Sequence, residues 1–176
     1  FVKEICNEFA LYQNRKIIKL KFCSTINDLT FDFDKEKVRK IMTNLLSNAF
    51  KFSPKNSVIT VCVESDEKKV KTSVNDNGTG ISERDKKKVF ERFYQVERTH
   101  LEFGSGIGLH IVSQYVSLLN GTITLTDNQP CGSRFCFTLP LISNPSEVTD
   151  DKNDMSVFEK EPTKEDNKLP SILIVE

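Results

Sequence analysis

Apolar positions recur along this chain with two periods, and the changes of period mark its elements. Val2, Ile5, Phe9 and Tyr12 repeat at the helical spacing to about Arg15, after which Ile18, Leu20 and Phe22 alternate with Lys19 and Lys21 as in a half-buried strand. Phe31-Asp32-Phe33 is a second, short strand candidate, and Asp34 stands where a helix cap belongs. The helix it would open carries Val38, Ile41, Leu45 and Ala49 on one face, with Met42 and Leu46 alongside, and Pro54 ends it. Residues 58–63 make a mostly apolar strand that Ser65-Asp66-Glu67 turns into a partner over 69–74. Helical periodicity resumes weakly at 83–91 and strongly at Ile107, Ile111, Tyr115, Leu118 and Leu119, with Gly121 as the expected left-handed cap. Strands over 122–126 and 134–139 close the pattern, joined by the turn-rich Asp127-Asn128-Gln129-Pro130-Cys131-Gly132.

Strands that pair mainly with sequence neighbours, and helices that must share one sheet face, predict an α/β fold. The expected architecture is a two-layer α/β sandwich with a mixed, mostly antiparallel sheet and helices packed on one face. The 176 residues give room for one domain with a buried core, expected over 1–141, plus a tail. Residues 142–170 carry Pro145, Asp150, Asp151, Asp154, Glu161 and Asp166 among few apolar side chains, which predicts a flexible acidic linker. Ile172-Leu173-Ile174-Val175 then begins a buried-strand pattern, so 171–176 is expected to be a truncated first strand of a further domain.

Twenty-five basic and twenty-five acidic side chains balance, which argues against a polyanion-binding surface and makes nucleic acid a poor partner. The five cysteines, Cys6, Cys23, Cys62, Cys131 and Cys136, are odd in number and lack a C-x-x-C pair; reduced core thiols in a cytosolic protein are expected. No apolar run is long enough to span a bilayer, so direct membrane contact is not expected of this domain. Phe1-Val2-Lys3 is neither an initiator methionine nor a signal peptide, as expected of a fragment cut from a larger, cytoplasmic part of a protein whose parent could be anchored in an inner membrane.

Four stretches carry candidate chemistry. Asn44, Asn48 and Lys51 fall on one stripe of the long helix, where asparagine costs a few tenths of a kcal/mol relative to alanine, roughly, and propensity does not explain it. Asparagine carbonyls and an ammonium suit magnesium and phosphate oxygens; a solvated helix face is the alternative. Asp76, in Asp76-Asn77-Gly78-Thr79-Gly80 at a strand end, could accept a hydrogen bond from an exocyclic amine, or simply sit in an ordinary turn. Gly104-Ser105-Gly106-Ile107-Gly108 runs into a helix whose N-terminus could bind phosphate, with a flexible hinge as the rival. Between them Phe90, Arg92, Phe93, Tyr94 and Arg98 form an aromatic-basic segment suited to a lid, expected over 84–103 and mobile without ligand, with plain core packing of the aromatics as the rival.

The order of these stretches resembles the ATP-binding catalytic domain of bacterial sensor histidine kinases, in the superfamily shared with gyrase, mismatch-repair and heat-shock chaperone ATPases. Asn44-Leu45-Leu46-Ser47-Asn48-Ala49-Phe50-Lys51-Phe52 is similar to the family's N box and Asp76-Asn77-Gly78-Thr79-Gly80-Ile81 to its first glycine box. Phe90-Glu91-Arg92-Phe93-Tyr94 is similar to the F box, and Gly104-Ser105-Gly106-Ile107-Gly108-Leu109 to the second glycine box. The last residues resemble the opening strand of a receiver domain, which implies a hybrid sensor.

The resemblance implies ATP and Mg2+ as cofactors, with Asn48 holding the metal, Asn44 supporting it and Lys51 reaching a phosphate. It implies Phe52 near the adenine, Asp76 on its amino group, and Gly78 and Gly80 lining the base pocket. Gly104, Gly106 and Gly108 would form the hinge and phosphate contacts, with Arg92 and Arg98 as lesser phosphate candidates. The implied function is donation of the γ-phosphoryl group to a histidine on a separate dimerisation domain. That domain and a receiver domain of the same parent are the expected partners, and the fragment alone is expected to be monomeric. His100 and His110 fit no phosphoacceptor pattern and are expected to be surface or packing residues. An amide at Asn44 cannot take a proton from water, which favours transfer over hydrolysis. A degenerate nucleotide-sensing module and a serine-directed kinase of the anti-sigma type are the rival functions.

Overall fold

The computed structural model describes residues 1–12, 17–26, 29, 31–96 and 105–141, all within one compact unit, Phe1–Asn144. The expected linker and truncated strand, Gly104, Arg98 and His100 lie outside the described residues.

The chain opens with helix α1 (Val2–Tyr12) and strand β1 (Lys19–Ser24). Helix α2 (Lys35–Phe52) follows, capped by Asp34, whose carboxylate accepts from the Lys37 backbone N–H at 2.9 Å. A hairpin of β2 (Val58–Ser65) and β3 (Lys69–Asn75) leads to the short α3 (Glu83–Lys86). Helix α4 (Gly108–Leu118), β4 (Thr122–Asp127) and β5 (Ser133–Pro140) complete the order. The five strands form one sheet in the order β1-β2-β3-β5-β4. Only β1 and β2 run parallel, because α2 carries the chain back between them; the other three pairs are antiparallel. The expected α/β sandwich with a mostly antiparallel sheet is therefore the observed one.

The alternation of the strands decides where the core sits. Ile59, Val61, Val74, Phe135 and Phe137 share one face and are buried with Ile41, Met42, Leu45, Leu46, Ala49 and Phe50 of α2 and Val112 and Val116 of α4. Each fully buried aliphatic or aromatic side chain contributes about 1.5–3 kcal/mol, so α2, with its buried stripe, anchors the helical layer. The alternate positions, including Lys19, Lys21, Thr60, Lys71 and Thr124, turn to the opposite face and are mostly polar, with Cys23, Cys62 and the buried Cys136 among them.

Several expectations are corrected. Phe31-Asp32-Phe33 forms no strand; Phe31 and Phe33 stack at 5.0 Å and Phe33 meets Phe1 at 5.4 Å, so these rings pack as a cluster while β1 remains the sheet edge. The left-handed residue after α4 is Asn120, at φ 54°, not Gly121. Gly121 is there for space, since a Cβ would stand 2.2 Å from the Thr138 carbonyl oxygen. The thiols are not all reduced and buried: Cys23 and Cys62 face each other in the parallel register and form a disulfide, and Cys131 is exposed, leaving Cys6 and Cys136 as buried thiols. Burial pushes the Cys6 thiol up to about 11, so it stays protonated at neutral pH.

Candidate functional site

Helix α2 presents its polar stripe to two loops. Near its middle, the Asn44 amide turns back so that Nδ2 donates to the Lys40 carbonyl at 2.8 Å, leaving Oδ1 toward α4. A Cβ on Gly108, the first residue of α4, would lie 2.8 Å from that Oδ1, so a larger residue there would push the asparagine amide aside. At the C-terminal end of α2, a Cβ on Gly78 would lie 2.7 Å from the Phe52 carbonyl oxygen. The glycine loop thus abuts the stripe at Asn44, and the Asp76 loop abuts it at Phe52. Asn48 and Lys51 lie between, on a stretch rising about 12 Å along the helix.

Asp76 follows the last residue of β3 and is 5% exposed. Its Oδ1 accepts from the Gly78 N–H at 2.8 Å and the Ser133 N–H at 3.1 Å. Among the described residues its Oδ2 takes no bond, and so remains available to a donor. Burial raises the Asp76 pKa above the ordinary carboxylate value, and the two backbone amides pull it back. Gly80 adopts φ 69°, a conformation that side chains rarely tolerate.

Helix α4 begins without a side-chain cap: Ile107 occupies that position and makes no such bond. Among the described residues its first N–H groups therefore meet no side-chain cap and could take an anion beside Asn44. Gly106, at φ 68°, accepts from the Phe93 N–H at 2.9 Å, and a Cβ on it would strike the Phe93 backbone at 2.8 Å. The expected lid thus starts from a packed root. Val89 is buried, Phe90 meets Phe135 edge-on at 6.4 Å, and Tyr94 donates to Asp85 at 2.8 Å. The His110 Nδ1 lies 3.1 Å from the Phe90 carbonyl, a packing role as expected. Phe93 is left 60% exposed with φ 66°, and Arg92 stacks on its ring at 4.6 Å.

Of the site residues expected from sequence, Gly108 thus adjoins Asn44 and Gly78 adjoins Phe52 and Asp76, with Asn48 and Lys51 between them on α2; Gly80 adjoins Gly132 and Gly106 adjoins Phe93, and Gly104 lies outside the described residues. Lys51 points at the Phe52 ring, 5.2 Å from its centroid. The donor set fits magnesium: amide oxygens are hard ligands, and the ion needs only one or two protein oxygens when phosphates supply others. Among the described residues no cluster of His, Cys, Asp and Glu offers an alternative metal site. A shallow cavity of 490 Å³ lined by Asp66, Lys69, Asn120 and Pro140 lies at the other end of β3 and contains none of these residues.

Sequence reasoning missed the wall behind Asp76. Asn128 and Gly132 were legible only as turn residues, and Ser133 fell between the expected turn and strand; their approach to Asp76 depends on β3 pairing with β5, for which no local signal exists.

The match with known proteins decides the lineage. Residues 33–143 match the family model described as histidine kinase-, DNA gyrase B-, and HSP90-like ATPase. This chain is a member of that family. Its N-box helix, Asp76 loop and glycine loop all fall within the matched region. The chain is 34% identical over 146 residues to Histidine kinase P4 of Formosa agariphila, covering 80% of this chain and 11% of that protein. It is 37% identical over 117 residues to Sensor histidine kinase WalK of Bacillus subtilis, covering 64% of this chain and 19% of that one. The nucleotide-free catalytic domain of histidine kinase ThkA superposes with a TM-score of 0.71 at 26% identity, covering 80% of this chain and 91% of that chain. The domain is thus an ATP-binding histidine-kinase-type catalytic domain, and it spans between a tenth and a fifth of these two curated relatives. No helix among the described residues is long and apolar enough to cross a membrane.

Proposed function

We propose that this domain binds Mg-ATP along the polar stripe of α2 and donates the γ-phosphoryl group to a histidine on a separate dimerisation domain, as the catalytic part of a two-component sensor kinase. The observation that carries the reading is the Asp76 carboxylate, with Oδ1 held by two backbone amides and Oδ2 left for a donor such as the adenine amine. From there, the base would lie beside Phe52, Gly78 and Gly80, and the phosphates would run toward the uncapped N–H groups of α4.

Asn48 would hold the magnesium, with Asn44 supporting it; bound there, the ion would neutralise phosphate charge. Lys51 would leave the Phe52 ring for a phosphate oxygen, and Gly104, Gly106 and Gly108 would hinge the loop and offer backbone N–H groups to phosphate. The transfer itself needs positioning more than covalent help from this domain. An imidazole nitrogen of the acceptor attacks the γ-phosphorus, the bond to the bridging oxygen breaks, and ADP leaves. Asn44 turns its Nδ2 into the Lys40 carbonyl, and an amide is no base for water, so hydrolysis is slow.

A cytoplasmic location, a parent with an adjoining receiver domain and a linker over 142–170 belong to the same proposal. The test supplies γ-labelled ATP and magnesium, with and without a dimerisation domain, and follows protein label and free phosphate together. Acid-labile label on the added domain supports the reading. Free phosphate alone would mean an ATPase, and neither product would mean a nucleotide-sensing module.

A further inference from the structure

We infer that Asn128, on the turn between β4 and β5, is a positioning residue for base recognition: it fixes the peptide that aims the Asp76 carboxylate. The inference rests on the reading that Asp76 accepts the exocyclic amine of ATP.

One turn grips Asp76 at three points. The Asp76 N–H donates to the Ser133 carbonyl at 2.9 Å, the Ser133 N–H donates to Oδ1 at 3.1 Å, and the Asn128 Nδ2 donates to the Asp76 carbonyl at 2.8 Å. The first two bonds come from backbone beside the β3–β5 ladder and need no particular side chain. The third needs a side-chain donor at position 128. It acts on the peptide joining Asp76 to Asn77, which leads directly to Gly78, and the Gly78 N–H is the other bond that holds Oδ1. Fixing the plane of that peptide therefore fixes the Gly78 anchor of the carboxylate, while the β3–β5 ladder supplies the Ser133 anchor, and the two together set the direction of Oδ2.

The turn is itself built to hold this position. The Asn128 N–H closes it by donating to the Gly132 carbonyl at 3.1 Å. Gly132 takes φ 108°, and a Cβ there would lie 2.0 Å from the Asp76 carbonyl oxygen, so the turn packs directly against the atom that Asn128 binds. On the far side, Asp127 accepts from the Lys86 ammonium at 2.7 Å, tying the turn to α3. Asn128 is thus held from both sides while it reaches Asp76.

The test measures binding of Mg-ATP and Mg-ITP, which carries a carbonyl in place of the amine, by calorimetry on the whole chain. The variants are Asn128→Ala and Asn128→Asp, the second nearly isosteric but lacking the donor, with circular dichroism to verify folding. Both variants should bind ATP about fivefold more weakly, the scale of one hydrogen bond, while ITP affinity changes less than twofold. Unchanged ATP affinity in a folded variant, or equal losses for ATP and ITP, would overturn the positioning role and leave the Asp76 reading intact. A wild-type chain that does not prefer ATP to ITP would overturn the Asp76 reading and this inference with it. Should Asn128→Ala fail to fold, Asn128→Asp decides alone; failure of both to fold would also overturn the inference, because the residue would then be holding up the fold.

Discussion

Replacing Asp76 by asparagine separates what the carboxylate does for a ligand from what it does to the fold. An amide oxygen can accept both bonds that Oδ1 accepts, from Gly78 at 2.8 Å and Ser133 at 3.1 Å, so the local geometry survives. In place of Oδ2, however, stands an NH2 group, which donates and so opposes the adenine amine. A hydrogen bond to a charged group contributes about 1.5–3 kcal/mol, which at about 1.4 kcal/mol per decade is a 10- to 150-fold loss of ATP affinity. Stability moves the other way. Burial raises the Asp76 pKa in the folded chain above the ordinary 3.8, so this group favours the folded state fully only below that value, and the favour is lost as pH rises through the folded pKa. Asp76→Asn escapes the loss, and the empty variant should melt no lower than wild type at pH 7. Calorimetric titration with Mg-ATP and thermal melts of the empty chain at neutral and acid pH check both halves. An affinity within twofold of wild type would refute the amine contact, and a melt well below wild type at pH 7 would refute the desolvation argument.

Three further outcomes are expected. Reducing the Cys23–Cys62 disulfide, which closes a separation of 39 residues, should lower stability by at most about 4 kcal/mol on the chain-entropy account, measured as a shift in the urea midpoint with and without reductant. Gly108→Ala gains helix propensity but sets a methyl against Asn44 Oδ1, so nucleotide affinity should fall several-fold, roughly, while the melting temperature changes little; equal affinity would show that the approach is not needed. Asp34→Ala should lower the melting temperature at pH 7 by removing the α2 cap. Because the Lys37 side-chain and backbone bonds hold the Asp34 pKa down, the cap's contribution is full above the ordinary 3.8 and disappears as pH falls through the folded value, so melts of variant and wild type should converge in acid.

The periodic elements were legible because their causes are local. The buried stripe of α2, its Asp34 cap and the β2–β3 hairpin all rest on residues within a few turns of one another, and each stands where the pattern placed it. Asp76 was also legible, since a polar residue among glycines at a strand end is a local signal. What escaped depends on contacts between distant segments. Cys23 and Cys62 meet only because β1 and β2 pair in parallel across α2, and their spacing in the chain says nothing of that register. Gly121 looked like a cap, but the need it meets is the Thr138 carbonyl on a neighbouring strand. Phe93 belongs to the expected lid segment, but its backbone bond to Gly106 and its positive φ depend on a partner thirteen residues along the chain.

The bond between the Phe93 N–H and the Gly106 carbonyl also bears on how this family could vary. It brings Phe93 and Gly106 together before any ligand is considered, so the two ends of the connection between them are clasped at a fixed point. For a flexible segment, doubling the number of residues on such a clasp adds only about 0.6 kcal/mol of closure entropy. Changes in the length of that connection would then cost little closure entropy and leave the Asp76 loop and the start of α4 in place.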